Sequence, residues 1–149
     1  MLRASLPIFL LAGLMVATPV ARSTANSQLE KVTIKGSIAY EAGSALPAGS
    51  RAVIELRHQP ALPDAPPVVV QRIDLDGKQS PVSFEFSVER FKLVGSAGYF
   101  VRGAIVSEKR AIWTADDVKI DVTQSTVDMK AITLKPASPG APSLDSAPR

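Results

Sequence analysis

Residues 32–41 alternate in polarity almost without a break. Val32, Ile34, Ile38 and Tyr40 fall on one side of an extended chain, and Thr33, Lys35, Ser37 and Glu41 on the other. A period of two belongs to a β-strand with one buried and one wet face; a helix would scatter this row around its circumference. Gly36 falls on the apolar side, where it leaves room for a facing side chain or a local bend. Gly43, Pro47 and Gly49 then interrupt both strand and helix. From residue 51 the alternation resumes, with Ala52, Ile54 and Leu56 expected inward and Arg51, Glu55 and Arg57 outward. Two such short rows bury too little to stand alone in water, so the rest of the chain has to cover them.

The remaining sequence supplies more of the same. Residues 58–67 hold four prolines and belong at an edge or end of a sheet. Residues 68–75 return to β-branched character, and Asp76-Gly77 is a turn dipeptide. Residues 81–88 alternate cleanly, with Val82, Phe84, Phe86 and Val88 inward. Residues 89–94 suit a short helical turn or an irregular connection. Tyr99, Val101 and Ile105 mark the next strand, which should form a hairpin through a charged tip at 107–110 onto Ile112 and Trp113. Residues 116–123 suit either a loop or a short strand. Residues 126–134 form a last strand whose pattern changes face near Ala131, the mark of a bulge. From Pro136 onward Pro, Ser, Ala and Gly dominate, and the tail at 136–149 is expected to be disordered. Short strands at this spacing, with no long helical period, predict an all-β fold at 30–135. The expected form is a small antiparallel β-sandwich of immunoglobulin-like, two-sheet architecture.

Ahead of that domain, residues 1–25 have the three parts of a secretory signal peptide. Arg3 supplies the positive charge, and residues 6–16 form an apolar run shorter than a membrane span. Ser23-Thr24-Ala25 supplies small residues for cleavage, whereas a cut after Ala21 would place Pro19 close to the scissile bond. The expectation is an exported, periplasmic protein, soluble after cleavage and membrane-associated only if the signal stays on. The chain of 149 residues contains no cysteine, which removes disulfides, thiolate metal sites and thiol nucleophiles. Its formal net charge is +3, and losing residues 1–25 removes Arg3 and Arg22 to leave about +1. Such scattered charge gives no footprint for nucleic acid.

Chemistry is sparse. His58 is the one histidine and sits in the proline-rich segment, with Ser44, Ser50 and Ser80 as conceivable nucleophiles that no spacing singles out. Asp116, Asp117 and Asp121 lack the alternating pattern of a calcium loop, and residues 74–77 are better explained as a turn. Trp113 and Tyr99 are the aromatic residues able to stack on a sugar or a partner. No cofactor site is expected.

The ordered series of motifs resembles the YbaY/YscW-like lipoprotein family. The matching residues begin with Gly36-Ser37-Ile38-Ala39-Tyr40, Ala45-Leu46-Pro47-Ala48-Gly49 and Val53-Ile54-Glu55-Leu56. They continue through Asp64-Ala65-Pro66, Pro81-Val82-Ser83-Phe84, residues 99–105 and Trp113-Thr114-Ala115-Asp116. The resemblance spans about residues 36–117. It implies a small β-sandwich of the bacterial cell envelope, usually tethered by an N-terminal lipid; this chain lacks the cysteine that would carry one. Some members are pilotins that help a type III secretion secretin assemble, others carry a label of polysaccharide metabolism, and the family brings no catalytic residues. The function expected is therefore a non-enzymatic module that binds another envelope protein or assists its assembly. The alternative is a glycan-binding protein stacking sugars on Trp113 and Tyr99, and a hydrolase centred on His58 is a third reading. Candidate contact residues are Trp113, Tyr99 and His58.

Overall fold

The alternating row at residues 32–40 becomes the middle strand of a sheet. The computed structural model describes residues 30–138 apart from 42, 44, 61–64, 95 and 96. The expected signal segment at 1–25 and residues 139–149 of the expected tail lie outside the described residues. The strands are β1 (Lys31–Ala39), β2 (Arg51–Gln59), β3 (Val69–Asp74), β4 (Val82–Glu89), β5 (Gly98–Ser107), β6 (Arg110–Thr114), β7 (Val118–Ile120), β8 (Thr126–Thr133) and β9 (Lys135–Pro136). A 3-10 turn at Arg90–Lys92 links β4 to β5. One sheet has the order β4-β1-β8, and the other β3-β2-β5-β6-β9, with β7 paired to the first half of β5.

Both sheets turn apolar rows onto one core. Val32, Ile34, Ile38 and Tyr40 of the β1 segment are buried, as are Ala52, Ile54 and Leu56 of β2 and Tyr99, Val101 and Ile105 of β5. Val82, Phe84 and Val88 of β4 join them, with Ile132 and Leu134 from the end of the chain. A Cβ built on Gly103 would lie 3.6 Å from both Ile38 and Leu134, so the inner faces of the two sheets meet there. Each fully buried Ile, Val or Leu contributes about 1.5–3 kcal/mol before chain entropy is subtracted.

Gly36 has the role its position suggests. An added Cβ would lie 2.9 Å from the Phe84 ring and 2.9 Å from the Lys130 carbonyl oxygen. Opposite it β8 bulges: Lys35 pairs with Asp128 and Ser37 with Ala131, leaving Met129 and Lys130 across from one glycine. Lys130 takes a positive φ of 56° to make that bend.

Three expectations need correction. The fold is not purely antiparallel, because β8 runs parallel to β1. Period-two alternation specifies a face and is the same for either strand direction. Glu55 was expected on a wet face and is instead 3% exposed. It lies on the outer face of β2, but Arg57 covers it and in turn donates from Nη2 to the Ala65 carbonyl at 2.6 Å, drawing the proline-rich segment over that face. Finally, order persists past Pro136: β9 pairs with β6, and the Ala137 amide donates to the Ile112 carbonyl at 2.9 Å.

Candidate partner-binding surfaces

The three residues singled out from sequence occupy two different ends of the molecule. Tyr99 is 1% exposed, its ring in the core, so it cannot offer a stacking face to a sugar. Its hydroxyl accepts a hydrogen bond from the Val94 amide at 2.6 Å and faces the Val94 carbonyl at 3.4 Å. His58 pairs with Tyr99 across the β2–β5 ladder, and the two rings lie 5.0 Å apart. Trp113 is half-buried on β6, pairs with Ile105 and Pro136, and packs its ring 6.2 Å from Tyr40 of the other sheet. Ile105 is six residues along β5 from Tyr99, so the two aromatic positions are about 20 Å apart. No shared sugar platform forms.

The conceivable catalytic partners are equally dispersed. Ser50 precedes β2 and His58 lies near its far end, about 25 Å away along the strand. Ser50 is buried and donates to the Pro47 carbonyl at 2.6 Å. Ser80 accepts from the Tyr40 amide at 2.9 Å, and Ser44 lies outside the described residues. The acidic residues each have their own partner. Asp117 takes a bidentate contact from Arg102 at 2.7 and 2.8 Å, which with its charge raises the guanidinium pKa, and Asp116 accepts from Lys135 at 2.9 Å. Asp121 accepts from both the amide and the hydroxyl of Thr123, which hold its carboxyl below the usual carboxylate range. Among the described residues no three His, Asp or Glu side chains are grouped to hold a metal ion.

The surface carries two further features. One end carries a cleft of about 490 Å³ between the loop after Tyr40 and the turn at residues 75–80. The Gly49 amide donates to Asp76 at 3.0 Å and ties its walls together, and Gly77 turns with φ 73°. The family-like residues Tyr40, Leu46 and Pro47 line this cleft.

The second surface is a strand edge. The free side of β4 faces β3, where Gln71 donates from Nε2 to the Glu85 carbonyl at 3.0 Å. β6 is edged by β9 and by Ala137, and β7 is three residues long. β8 runs eight residues and, among the described residues, pairs only with β1. Its Leu134 end is fixed by the Leu134 amide donating to the Ala39 carbonyl at 2.7 Å. Strand alternation then turns the Thr133 amide outward. At the bulge, Asp128 accepts from the Lys130 amide at 3.0 Å, which guards the middle of that edge.

These surfaces can now be set beside known proteins. The sequence profile of the type III secretion system lipoprotein chaperones (YscW) matches residues 29–134. The chain belongs to that family. A solved structure with a similar fold is an alternative pilotin from the type II secretion system of Vibrio cholerae. It is 23% identical with a TM-score of 0.56, covering 72% of this chain and 99% of that one. At this identity the likeness speaks to the fold. No curated protein sequence matches the chain. Neither His58, Tyr99 nor Trp113 gains a functional role from these comparisons, and a glycan partner finds no support in them.

Proposed function

We propose that this member of the YscW family acts in the cell envelope without catalysis, assisting assembly of another envelope protein by holding an extended segment of it. The carrying observation is the outer edge of β8, an eight-residue strand that pairs on that side with no strand among the described residues. A segment added there would gain main-chain hydrogen bonds, and the exposed side chains at Thr126, Asp128 and Thr133 would choose among sequences. Family membership and the pilotin-like fold support a partner belonging to a secretion apparatus; a secretin is the partner those relatives suggest. Trp113, beside the end of β8 that carries Leu134, would meet the end of a bound segment.

The test is site-specific photocrosslinking in living cells. A photoreactive residue in place of Thr133 or Asp128 should form one adduct with a subunit of an outer-membrane complex, identified by mass spectrometry, while one in place of Arg72 on β3 should not. Deleting the gene should lower the assembled form of that subunit and leave its synthesis unchanged. An unchanged amount of assembled complex in the deletion strain would overturn the reading.

A further inference from the structure

Among the described residues, Phe91 and Val94 are the large hydrophobic side chains left exposed, at 73% and 57%. Both sit on the short connection between β4 and β5, and the structure holds them out. Leu93, between them, is buried. The Val94 backbone is pinned on both its amide and its carbonyl by the Tyr99 hydroxyl. Arg90 fixes the other side of the turn, donating from Nη1 to the Val122 carbonyl at 3.1 Å. Collapse of Phe91 onto the domain is thus opposed by the same contacts that shape the turn.

The beginning of the domain lies at this same tip. The Arg90 amide donates to the Glu30 carbonyl at 2.8 Å, and Arg90 Nε lies 3.2 Å from the Glu30 carboxylate. In the sequence, residues 1–29 precede Glu30, the first described residue, which lies against Arg90 at this tip. Their apolar stretch at 6–16 is separated from Glu30 by residues 17–29, a span of at most about 45 Å. The charges here are nearly balanced: Lys31, Arg90 and Lys92 face Glu30 and Glu89, with Lys92 and Glu89 2.8 Å apart. Two side chains present far less area than the roughly 1,200 Å² of a stable protein interface, so a second copy would not be held there. Two apolar groups at a near-neutral tip suit the boundary of a lipid bilayer, where weak insertion suffices while residues 1–25 stay attached and keep the chain nearby.

We infer that the Phe91–Val94 tip is a lipid-contacting end, which sets the domain on a membrane surface beside its first described residue, Glu30. This contact does not depend on which partner the β8 edge holds. It also gives Tyr99 a purpose: its hydroxyl positions the tip from inside the core.

The absence of cysteine makes the test direct. In the full chain, Val94→Cys and, as a control about 25 Å away along β4, Gln79→Cys are labelled with an environment-sensitive fluorophore. Each is mixed with phosphatidylethanolamine–phosphatidylglycerol vesicles carrying spin-labelled acyl chains. Quenching at position 94 should exceed that at 79 by about tenfold, and Phe91→Ser should reduce it to the control level even when the protein still floats with the vesicles through its N-terminal segment. Lys92→Cys provides a second label position should the first disturb folding. Equal quenching at both ends, or quenching at 94 that survives Phe91→Ser, would overturn the inference. So would a blue shift at 94 that rises with protein concentration in the absence of vesicles, the sign that a second copy covers the tip.

Discussion

Glu55 is a carboxylate with 4% of its side chain exposed, and its charge is met by Arg57 Nη1 at 2.8 Å. Removing one partner of a buried pair costs more than the pair contributes, because the remaining charge keeps its desolvation penalty. Arg57→Ala should therefore destabilise the domain by about 3 kcal/mol. Adding Glu55→Gln should recover part of that loss, since a neutral amide is cheaper to bury. Urea denaturation of the single and double variants measures both. Gly36 sets a different constraint. Gly36→Ala brings a methyl against the Phe84 ring, which can move, and against the Lys130 carbonyl of the β8 bulge, which cannot move without breaking the β1–β8 register. The expected cost is about 1–3 kcal/mol, and Phe84→Leu in the same chain should relieve only part of it. Thermal melts of the two variants separate the ring's share from the bulge's.

At the scale of elements, the β5–β6 hairpin turns through Glu108 and Lys109, with φ of 48° and 67°. Both therefore occupy the left-handed region, the geometry for which Asn-Gly is the favoured pair in a two-residue loop. Glu108→Asn with Lys109→Gly should stabilise the domain by about 1–2 kcal/mol, net of whatever the Lys109 side chain contributes. A double alanine variant should show no such gain in the midpoint of urea unfolding. This turn also shows what was legible beforehand. The hairpin follows from polarity alone, as do the inward rows of β1, β2, β4 and β5, because burial of one strand face leaves a period of two in the chain. The bulge near Ala131 was legible as a change of face. The parallel course of β8 was not, since direction leaves no trace in alternation. The burial of Glu55 depends on a loop that folds back from residue 65, and the service of the Tyr99 hydroxyl on a backbone five residues away in sequence; neither has a local signature. Phe91 and Val94 stood in a segment readable as a turn, but only the fold shows that their neighbour Leu93 takes the inward position and leaves them outside.

For the whole molecule, the parallel pair joins the start of the domain to its end. Thr33 pairs with Thr126 and Ile38 with Ile132, and the Thr33 amide donates to the Ser125 carbonyl at 2.9 Å. Until residues 126–134 are present, β1 has one neighbour, and the core lacks Ile132 and Leu134. Pairings this distant in sequence incur their loop-closure entropy before any contact offsets it, so closure should come late and all at once. A chain ending at Gln124 should accordingly fail to fold, whereas one ending at Ser138 should retain the full domain, including β9 over Trp113. Circular dichroism together with Trp113 fluorescence tests this: the shorter chain should show an exposed indole and no cooperative melt, and the longer one the same midpoint as the complete chain. A cooperative transition in the chain ending at Gln124 would mean that β1 and β4 can close the core without β8. Late closure has a consequence while the chain is being made. A domain whose last strand completes its first sheet stays unfolded while its C-terminal end is still being synthesised. The open edge of β8 and the tip beside Glu30 then come into being in the same step.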